Sequence, residues 1–248
     1  MKTKQLIIIG GGASIKEGIQ KGLWDEIKDH FVIGLNYSYK YFSNPTVQCY
    51  VDRDFYIKEL PNGLANIPLI VGKTLKGTPQ VIKPNTIFLK ASNKYTRDLS
   101  TGVYKSALVG YFALSLGIYL LDEGDIFLLG YDFGGQGTQK ISNNKSIART
   151  HFYQGEIKHR GIGKINYYLQ KKRPESDFAP YKNEKKVKIY NVSINSRIPD
   201  SIFPKISYDQ FFKLLDTTTS NQDLLRSYIR EQLEKVKPNE KKKNNIKR

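Results

Sequence analysis

The sequence predicts an α/β protein in which helices cover both faces of a doubly wound, mainly parallel sheet. Two observations predict this class. Short runs of branched aliphatic residues alternate along the chain with longer segments of helical periodicity, which is the pattern of repeated strand–helix units. The first apolar run also leads directly into three glycines and then into a helical segment, as in Rossmann-like folds.

The first strand and helix follow from residues 6–28. Leu6–Ile9 is a continuous aliphatic run, typical of a strand buried on both faces. Ser14 followed by Glu17 fits a capping box, in which the hydroxyl accepts from a backbone amide and the glutamate reaches back. We therefore expect one helix over 15–28 with a buried stripe of period four, formed by Ile15, Ile19, Leu23 and Ile27.

The glycine turn between this strand and helix predicts an anion site. Gly10, Gly11 and Gly12 remove every Cβ from the turn, and the free amides and positive end of the helix would face it. A phosphate or a carboxylate could sit there. Because Ile15 occupies the third glycine position, the dinucleotide fingerprint is only partly met. A tight turn without a ligand is the alternative.

The remaining elements follow in order along the chain. Further strands are predicted at 30–36, 46–52, 67–72, 85–91, 125–130 and 186–193. Helices are predicted at 37–42, 102–120, 151–171, 208–215 and 222–236, and Ser100 or Thr101 is expected to cap the second of them. We interpret residues 1–233 as one Rossmann-like domain, with a mobile loop at 134–150 inside a lid region at 134–165.

Composition limits the partners and the location. The net charge of +17 attracts nucleic acid, anionic lipid or phosphorylated small molecules, although a soluble lysine-rich chain is the alternative. Residues 234–248 contain seven Lys or Arg and two Glu, which predicts a basic disordered tail that could contact anionic membrane or nucleic acid. Cys49 is the single cysteine, so an internal disulfide and a thiolate metal cluster are excluded.

Neither a membrane span nor a signal peptide is predicted, because no apolar run approaches roughly 18 residues. A cytoplasmic protein, with peripheral contact at the inner membrane face as an option, is the simplest interpretation. The richness in lysine and asparagine is typical of an AT-rich bacterial or phage coding background. The sequence does not decide whether the protein forms a homo-oligomer.

Small or polar residues follow the predicted strands where each strand ends. In an open parallel sheet the ligand lies at the carboxyl ends of the strands, so one crevice is expected to collect them. The set consists of Gly10–Ser14, Asn36, Asp52, Thr101–Gly102, Asp132 and Asn191–Ser193.

Five blocks of this sequence resemble a known group of proteins. They are "IIIGGGASI", "VIGLNYSYKYF", "STGVYKSALVGYFALSLGIYLLDEGDIFLLGYDF", "THFYQG" and "IYNVSINSRI". Their content and order resemble the bacterial sialyltransferases of glycosyltransferase family 42 and the related DUF115 group, which includes 6-hydroxymethylpterin diphosphokinases. The likeness runs from about residue 5 to residue 212.

The resemblance also has departures. The family carries Asn where this chain has Gly11 and Pro where it has Ala13. The sialyltransferases place tyrosines soon after their G-x-D-F segment to stabilise the departing phosphate, whereas this chain reads "GGQGTQKISNN" there. Tyr153 or Lys145 could substitute.

The resemblance implies a role for each matching residue. His151, one of three histidines, would be the general base on an acceptor hydroxyl. The other implied contacts are all with nucleotide: Gly10, Gly12, Ser14 and Asn36 with phosphate, Thr101 and Gly102 with the nucleoside, and Asn191 and Ser193 with the base or ribose. Gly11, within the same turn, is counted with the nucleotide-binding residues. Asp132 is included among the nucleotide-binding residues, and Arg197 is the candidate for neutralising phosphate because it follows that last loop.

The function expected from these observations is inverting transfer of a sugar, such as a sialic-acid-like sugar, from a nucleotide donor to a glycan or glycolipid acceptor, without a metal cofactor. One alternative is an ATP-dependent diphosphokinase of the pterin type, which would need Mg²⁺ held by Asp52 and Asp132; each aspartate could equally cap a following turn. A second alternative is a non-catalytic module that binds nucleotide or nucleic acid.

Overall fold

The computed structural model describes residues 4–73, 83–104, 108–133, 151–153, 174–217 and 219–236. Its strands are β1 (Gln5–Ile9), β2 (Val32–Leu35), β3 (Val47–Tyr50), β4 (Ile70–Lys73), β5 (Thr86–Leu89), β6 (Ala91–Ser92), β7 (Val103–Tyr104), β8 (Gly124–Leu129) and β9 (Val187–Val192). Seven of them form one sheet in the order β5-β4-β3-β2-β1-β8-β9, and all neighbouring pairs are parallel. The other two, β6 and β7, form a small parallel pair.

The helices connect these strands. They are α1 (Ile15–Gln20), α2 (Leu23–Ile27), α3 (Arg53–Glu59), α4 (Val109–Leu121), α5 (Pro174–Phe178), α6 (Tyr208–Leu214) and α7 (Gln222–Lys235). Short 3₁₀ helices occupy Asn36–Lys40, Leu60–Asn62, Leu64–Asn66, Leu99–Thr101 and Ala179–Tyr181.

Both faces of the sheet are covered. Because successive strand residues point to opposite faces, Leu6 and Ile8 of β1 join the core formed with α4 and α7, whereas Ile7 and Ile9 join the core formed with α1, α2 and α6. All four side chains are fully buried. The predicted α/β class, with a doubly wound Rossmann-like sheet, is confirmed.

The chain reverses its direction across the sheet once. From β1 it moves outward through β2, β3, β4 and β5, and α4 then carries it back to β8, on the other side of β1. The carboxyl ends of β1 and β8 therefore flank the topological switch point, where open α/β sheets bind their ligands.

The predicted first helix is divided into two. Gly22 has φ of +83°, so the chain turns there and α2 starts in a new direction. The expected stripe is wrong at Ile19, which is 37% exposed, although Ile15, Leu23 and Ile27 are buried.

The helix predicted at 102–120 starts later, at Val109. Gly102 has φ of +111°, and the next two residues pair with β6 as strand β7. The predicted cap is also wrong, because the Thr101 hydroxyl donates to the Asp98 carbonyl instead and α4 follows Leu108 without a side-chain cap.

Several predictions concern residues outside the described ranges. The loop at 134–150 lies outside them, as do the lid at 134–165 and the helix at 151–171 except for residues 151–153, which form a turn. Of the predicted tail, Glu234 and Lys235 are helical because α7 continues through them, and 237–248 lie outside. None of the described helices combines the length and apolarity needed to cross a bilayer.

Candidate active site at the switch point

The glycine turn after β1 packs directly against the end of β8. The Gly10 amide donates to the Leu129 carbonyl at 2.7 Å, and the Gly12 amide donates to the Gly130 carbonyl at 2.9 Å. A Cβ on Gly12 would lie 2.5 Å from that carbonyl oxygen and 2.6 Å from the Asp132 carboxylate. Glycine is therefore required there by the close approach of the two chain segments.

Ser14 and Asp132 join the two sides of the switch point. The Ser14 hydroxyl donates to one oxygen of the Asp132 carboxylate at 2.5 Å, and the Ser14 amide donates to the other at 2.8 Å. The predicted capping box with Glu17 is therefore wrong, because Ser14 makes no side-chain cap to its own helix. Its hydroxyl instead donates to the carboxylate of Asp132, 118 residues away in the sequence.

This arrangement changes how an anion could bind the turn. The amides of Gly10, Gly12 and Ser14 are bonded within the protein, and the Asp132 carboxylate itself lies at the start of α1. The amides of Gly11 and Ala13 have no hydrogen-bond partner within the described residues. Any contact of a phosphate with the backbone of this turn would use those two amides.

His151 lies against the same turn. A Cβ built on Gly11 would stand 2.5 Å from its Cδ2 and 3.4 Å from its Nε2, and the next residue, Phe152, donates its amide to the Gly11 carbonyl at 2.8 Å. The imidazole is half-buried. The structure thus brings together the glycine turn and the candidate base, and the imidazole occupies the space that any side chain at position 11 would need.

Aromatic side chains hold the segment that carries His151. Phe152 packs on Tyr41 with ring centroids 4.9 Å apart, and Tyr153 packs on Tyr37 at 5.5 Å. Tyr153 also stacks on the imidazole at 5.0 Å with an interplanar angle of 24°, and its burial raises the pKa of its hydroxyl. The sequence offers Tyr153 only as a substitute for the missing tyrosines and does not predict this packing.

The loop after β9 packs against the residues that follow β8. Its Ser196 hydroxyl donates to the Tyr131 carbonyl at 2.6 Å, and the Arg197 amide donates to the Asp132 carbonyl at 3.0 Å. The predicted residues Asn191 and Ser193 are both buried. Asn191 Oδ1 and Ser193 Oγ have no hydrogen-bond partner among the described residues, which is costly unless a ligand or water satisfies them.

Asn36 follows β2, the strand on the far side of β1 from β8. It has φ of +49°, a left-handed conformation that asparagine tolerates better than other non-glycine residues. Its carbonyl accepts from the Gln48 side chain at 2.9 Å, and its own side chain is half-buried. The predicted sites on β2, β1, β8 and β9 therefore occupy four adjacent strands.

Asp52, Thr101 and Gly102 lie apart from this group. Asp52 is exposed after β3, and three strand spacings, about 14 Å, separate β3 from β8 and its Asp132. Thr101 and Gly102 lie beyond β5, where their hydrogen bonds are with Asp98 and Leu99. Within the described residues, no group of three His, Cys, Asp or Glu is arranged to hold a metal ion.

Comparison of the chain with protein-family models, with curated proteins and with solved structures found no match. The assignment to the sialyltransferase-like group therefore depends on the five sequence blocks and stays a prediction. The sequence reasoning missed Ser196, although its position in the polar run "NVSINSR" after a strand was the available signal.

Proposed function

We propose that this protein is a transferase that moves a sugar from a nucleotide donor to a glycan or glycolipid hydroxyl, in the crevice at the switch point. The observation that carries the proposal is the packing of the His151 imidazole on Gly11, beside the turn at the carboxyl end of β1. A half-buried imidazole at a ligand crevice is suited to accept a proton near neutral pH.

In the proposed reaction, His151 takes the proton of the acceptor hydroxyl through one ring nitrogen. The acceptor oxygen forms a bond with the anomeric carbon while the bond from that carbon to the nucleotide phosphate breaks with its electron pair. Attack from the face opposite the leaving group inverts the configuration. The nucleotide leaves with the additional negative charge.

Three features are suited to contact the nucleotide. The amides of Gly11 and Ala13 can donate to a phosphate oxygen. The exposed Arg197, whose backbone is fixed by Asp132, supplies a cation at the rim. Asn191 Oδ1, which is buried and has no hydrogen-bond partner among the described residues, is an acceptor on the β9 side, suited to a hydroxyl or an amino group of a nucleoside.

The buried Asp132 does not suit a phosphate contact, since two like charges would meet at low dielectric. We assign it instead to holding Ser14 and the turn. The same contacts weaken the pterin diphosphokinase alternative, because both oxygens of Asp132 accept hydrogen bonds from Ser14 and Asp52 lies three strands away.

The test has two steps. A thermal-shift panel of CMP, UDP, GDP and ATP, with and without Mg²⁺, identifies the nucleotide, since a ligand of the folded state raises the melting temperature. Mass spectrometry then measures transfer from the matching nucleotide sugars to a mixture of glycans.

His151→Ala should retain nucleotide binding and reduce turnover by about 10²- to 10⁴-fold. The matched control is His30→Ala, because His30 lies before β2, at the opposite end of the strands, where its Nε2 bonds the Asp216 carbonyl. Turnover unaffected by His151→Ala would remove the proposed base. Nucleotide binding with no transfer from any donor would favour the non-catalytic module.

A further inference from the structure

Within the described residues, the outer edge of β9 is paired at Asn191 and unpaired at Val187 and Ile189. The carbonyl of Lys186, directly before β9, accepts a hydrogen bond from the Gly124 amide of β8 at 3.0 Å. The backbone groups of the even-numbered residues that follow in β9 therefore also face β8. Asn191 bonds outward, to Pro204 at 2.9 Å and Ile206 at 3.0 Å. Because backbone groups alternate along a strand, those of Val187 and Ile189 also point away from the sheet.

Proline explains why the outer pairing stops at Asn191. The segment around Lys205 runs parallel to β9, and extending that ladder to Ile189 would need an amide donor at position 204. Pro204 has no N–H. Within the described residues, the outward backbone groups of Val187 and Ile189 have no partner.

These groups open into a groove of about 210 Å³. Its walls are formed by Tyr181, Lys182, Glu184, Lys188, Tyr190 and Phe203. Of these residues, Tyr181 and Phe203 are almost completely buried. The groove therefore combines an unpaired strand edge, which can pair with an extended backbone, and the accessible side chains of Lys182, Lys188 and Tyr190, which can pack against its side chains. This is the arrangement used in recognition by strand addition.

The charge around the groove is positive. Lys182, Lys185 and Lys188 are exposed and make no salt bridge within the described residues. Glu184 is the one acidic residue in the walls. Its carboxylate already accepts a hydrogen bond from the Tyr95 hydroxyl and forms a salt bridge with the Arg97 guanidinium at 3.0 Å. The groove thus favours an anionic occupant.

We propose that this groove binds an extended acidic segment of another protein, which adds to the sheet beside Val187 and Ile189. A second copy of this chain would oppose its lysines to the same lysines, and like charges on an exposed edge prevent such pairing. The four segments of more than three residues outside the described ranges, at 74–82, 134–150, 154–173 and 237–248, each carry net positive charge. The complementary strand therefore comes from a different molecule.

Fluorescence anisotropy with a labelled peptide of alternating valine and glutamate tests the proposal. The same peptide with glutamine in place of glutamate should bind about tenfold more weakly, because it loses the exposed charge pairs. N-methylation of one alternate set of peptide amides should abolish binding, and N-methylation of the other set should not, since only one set faces β9.

Lys182→Glu/Lys188→Glu should weaken binding by about tenfold or more. Lys28→Glu/Lys213→Glu makes the same change of net charge at exposed lysines elsewhere and should leave binding nearly unchanged. Equal loss in both variants, or equal binding of the two N-methylated peptides, would overturn strand docking in favour of unspecific attraction. Self-association in sedimentation that is lost in Lys182→Glu/Lys188→Glu would overturn it in favour of a second copy.

Discussion

The Ser14 hydroxyl lies 2.5 Å from the Asp132 carboxylate, and both side chains are almost completely buried, at 3% and 2% exposure. The Ser14 amide donates to the second carboxylate oxygen. Removing a carboxylate from water is costly, and hydrogen bonds to the charged form offset that cost. The pair therefore fixes the glycine turn to the end of β8.

Ser14→Ala should lower the free energy of unfolding by about 1.5 to 3 kcal/mol, because the buried carboxylate loses one of its donors. Urea denaturation followed by circular dichroism measures the change. The control is Ser100→Ala, which removes the same type of contact from the exposed Asp98 and should leave stability nearly unchanged, because water replaces the lost hydrogen bond. Equal effects of the two substitutions would show that burial does not strengthen the Ser14–Asp132 contact.

Gly11→Ala should displace the imidazole of His151, since the new Cβ would stand 2.5 Å from Cδ2. We expect a loss of about 1 to 3 kcal/mol of stability, as for other substitutions that overpack a site, together with loss of transfer activity. In Gly11→Ala/His151→Ala the clash with the imidazole is removed and only the 3.1 Å approach to the Tyr153 hydroxyl remains, so the stability effects should be non-additive by about 0.5 kcal/mol or more. Strict additivity in this double-mutant cycle would contradict the packing of His151 on the turn.

The sequence predicted the strands well because both faces of a parallel sheet are buried, which leaves continuous aliphatic runs such as Leu6–Ile9. It failed where a distant partner overrides a local pattern. Ser14 and Glu17 match a capping box, but the partner of Ser14 lies 118 residues away. Gly102 and Val103 extend a helical pattern locally, whereas pairing with β6 makes them part of a strand connection.

Contacts between residues distant in sequence also limited what could be predicted of the candidate site. Placing residues at strand ends selected Asn36, the glycine turn, Asp132 and Asn191, which lie on or directly after the four adjacent strands β2, β1, β8 and β9. It could not separate Thr101 from that group, because strand order is set by the crossover of α4 and not by any short stretch of sequence. The hydrogen bonds from Ser14 to the two carboxylate oxygens of Asp132 could not be predicted from the sequence either.

Glu59 should make stability depend on pH. Burial alone would raise its pKa, but hydrogen bonds from Lys40 at 2.8 Å and from the Tyr39 hydroxyl at 2.9 Å outweigh burial and hold the pKa below its ordinary value of 4.5. A lowered carboxyl pKa in the folded state stabilises the protein above the ordinary value, and that contribution is lost as the pH falls through the folded-state pKa.

Glu59→Gln should therefore be less stable than the original protein at pH 7, by about 1 to 3 kcal/mol. The difference should narrow as the pH is lowered below the ordinary value of 4.5. Denaturant unfolding of both proteins at a series of pH values measures it. A difference that stays constant or grows towards acid would show that the Glu59 charge is not stabilised in the folded state.

The thiol of Cys49 should be unreactive in the folded protein. It lies in β3, is fully buried, and burial raises the pKa of its thiol, so the reactive thiolate is both rare and inaccessible. Because it is the only cysteine, labelling by a disulfide reagent at about pH 8 reports on this position alone. We expect slow labelling of the native protein and rapid, stoichiometric labelling in guanidinium chloride.

Ser14→Ala should accelerate labelling of Cys49 in the native protein if labelling requires global unfolding, in proportion to its loss of stability. Rapid labelling of the native protein would place Cys49 at a surface and contradict the position of β3 inside the sheet.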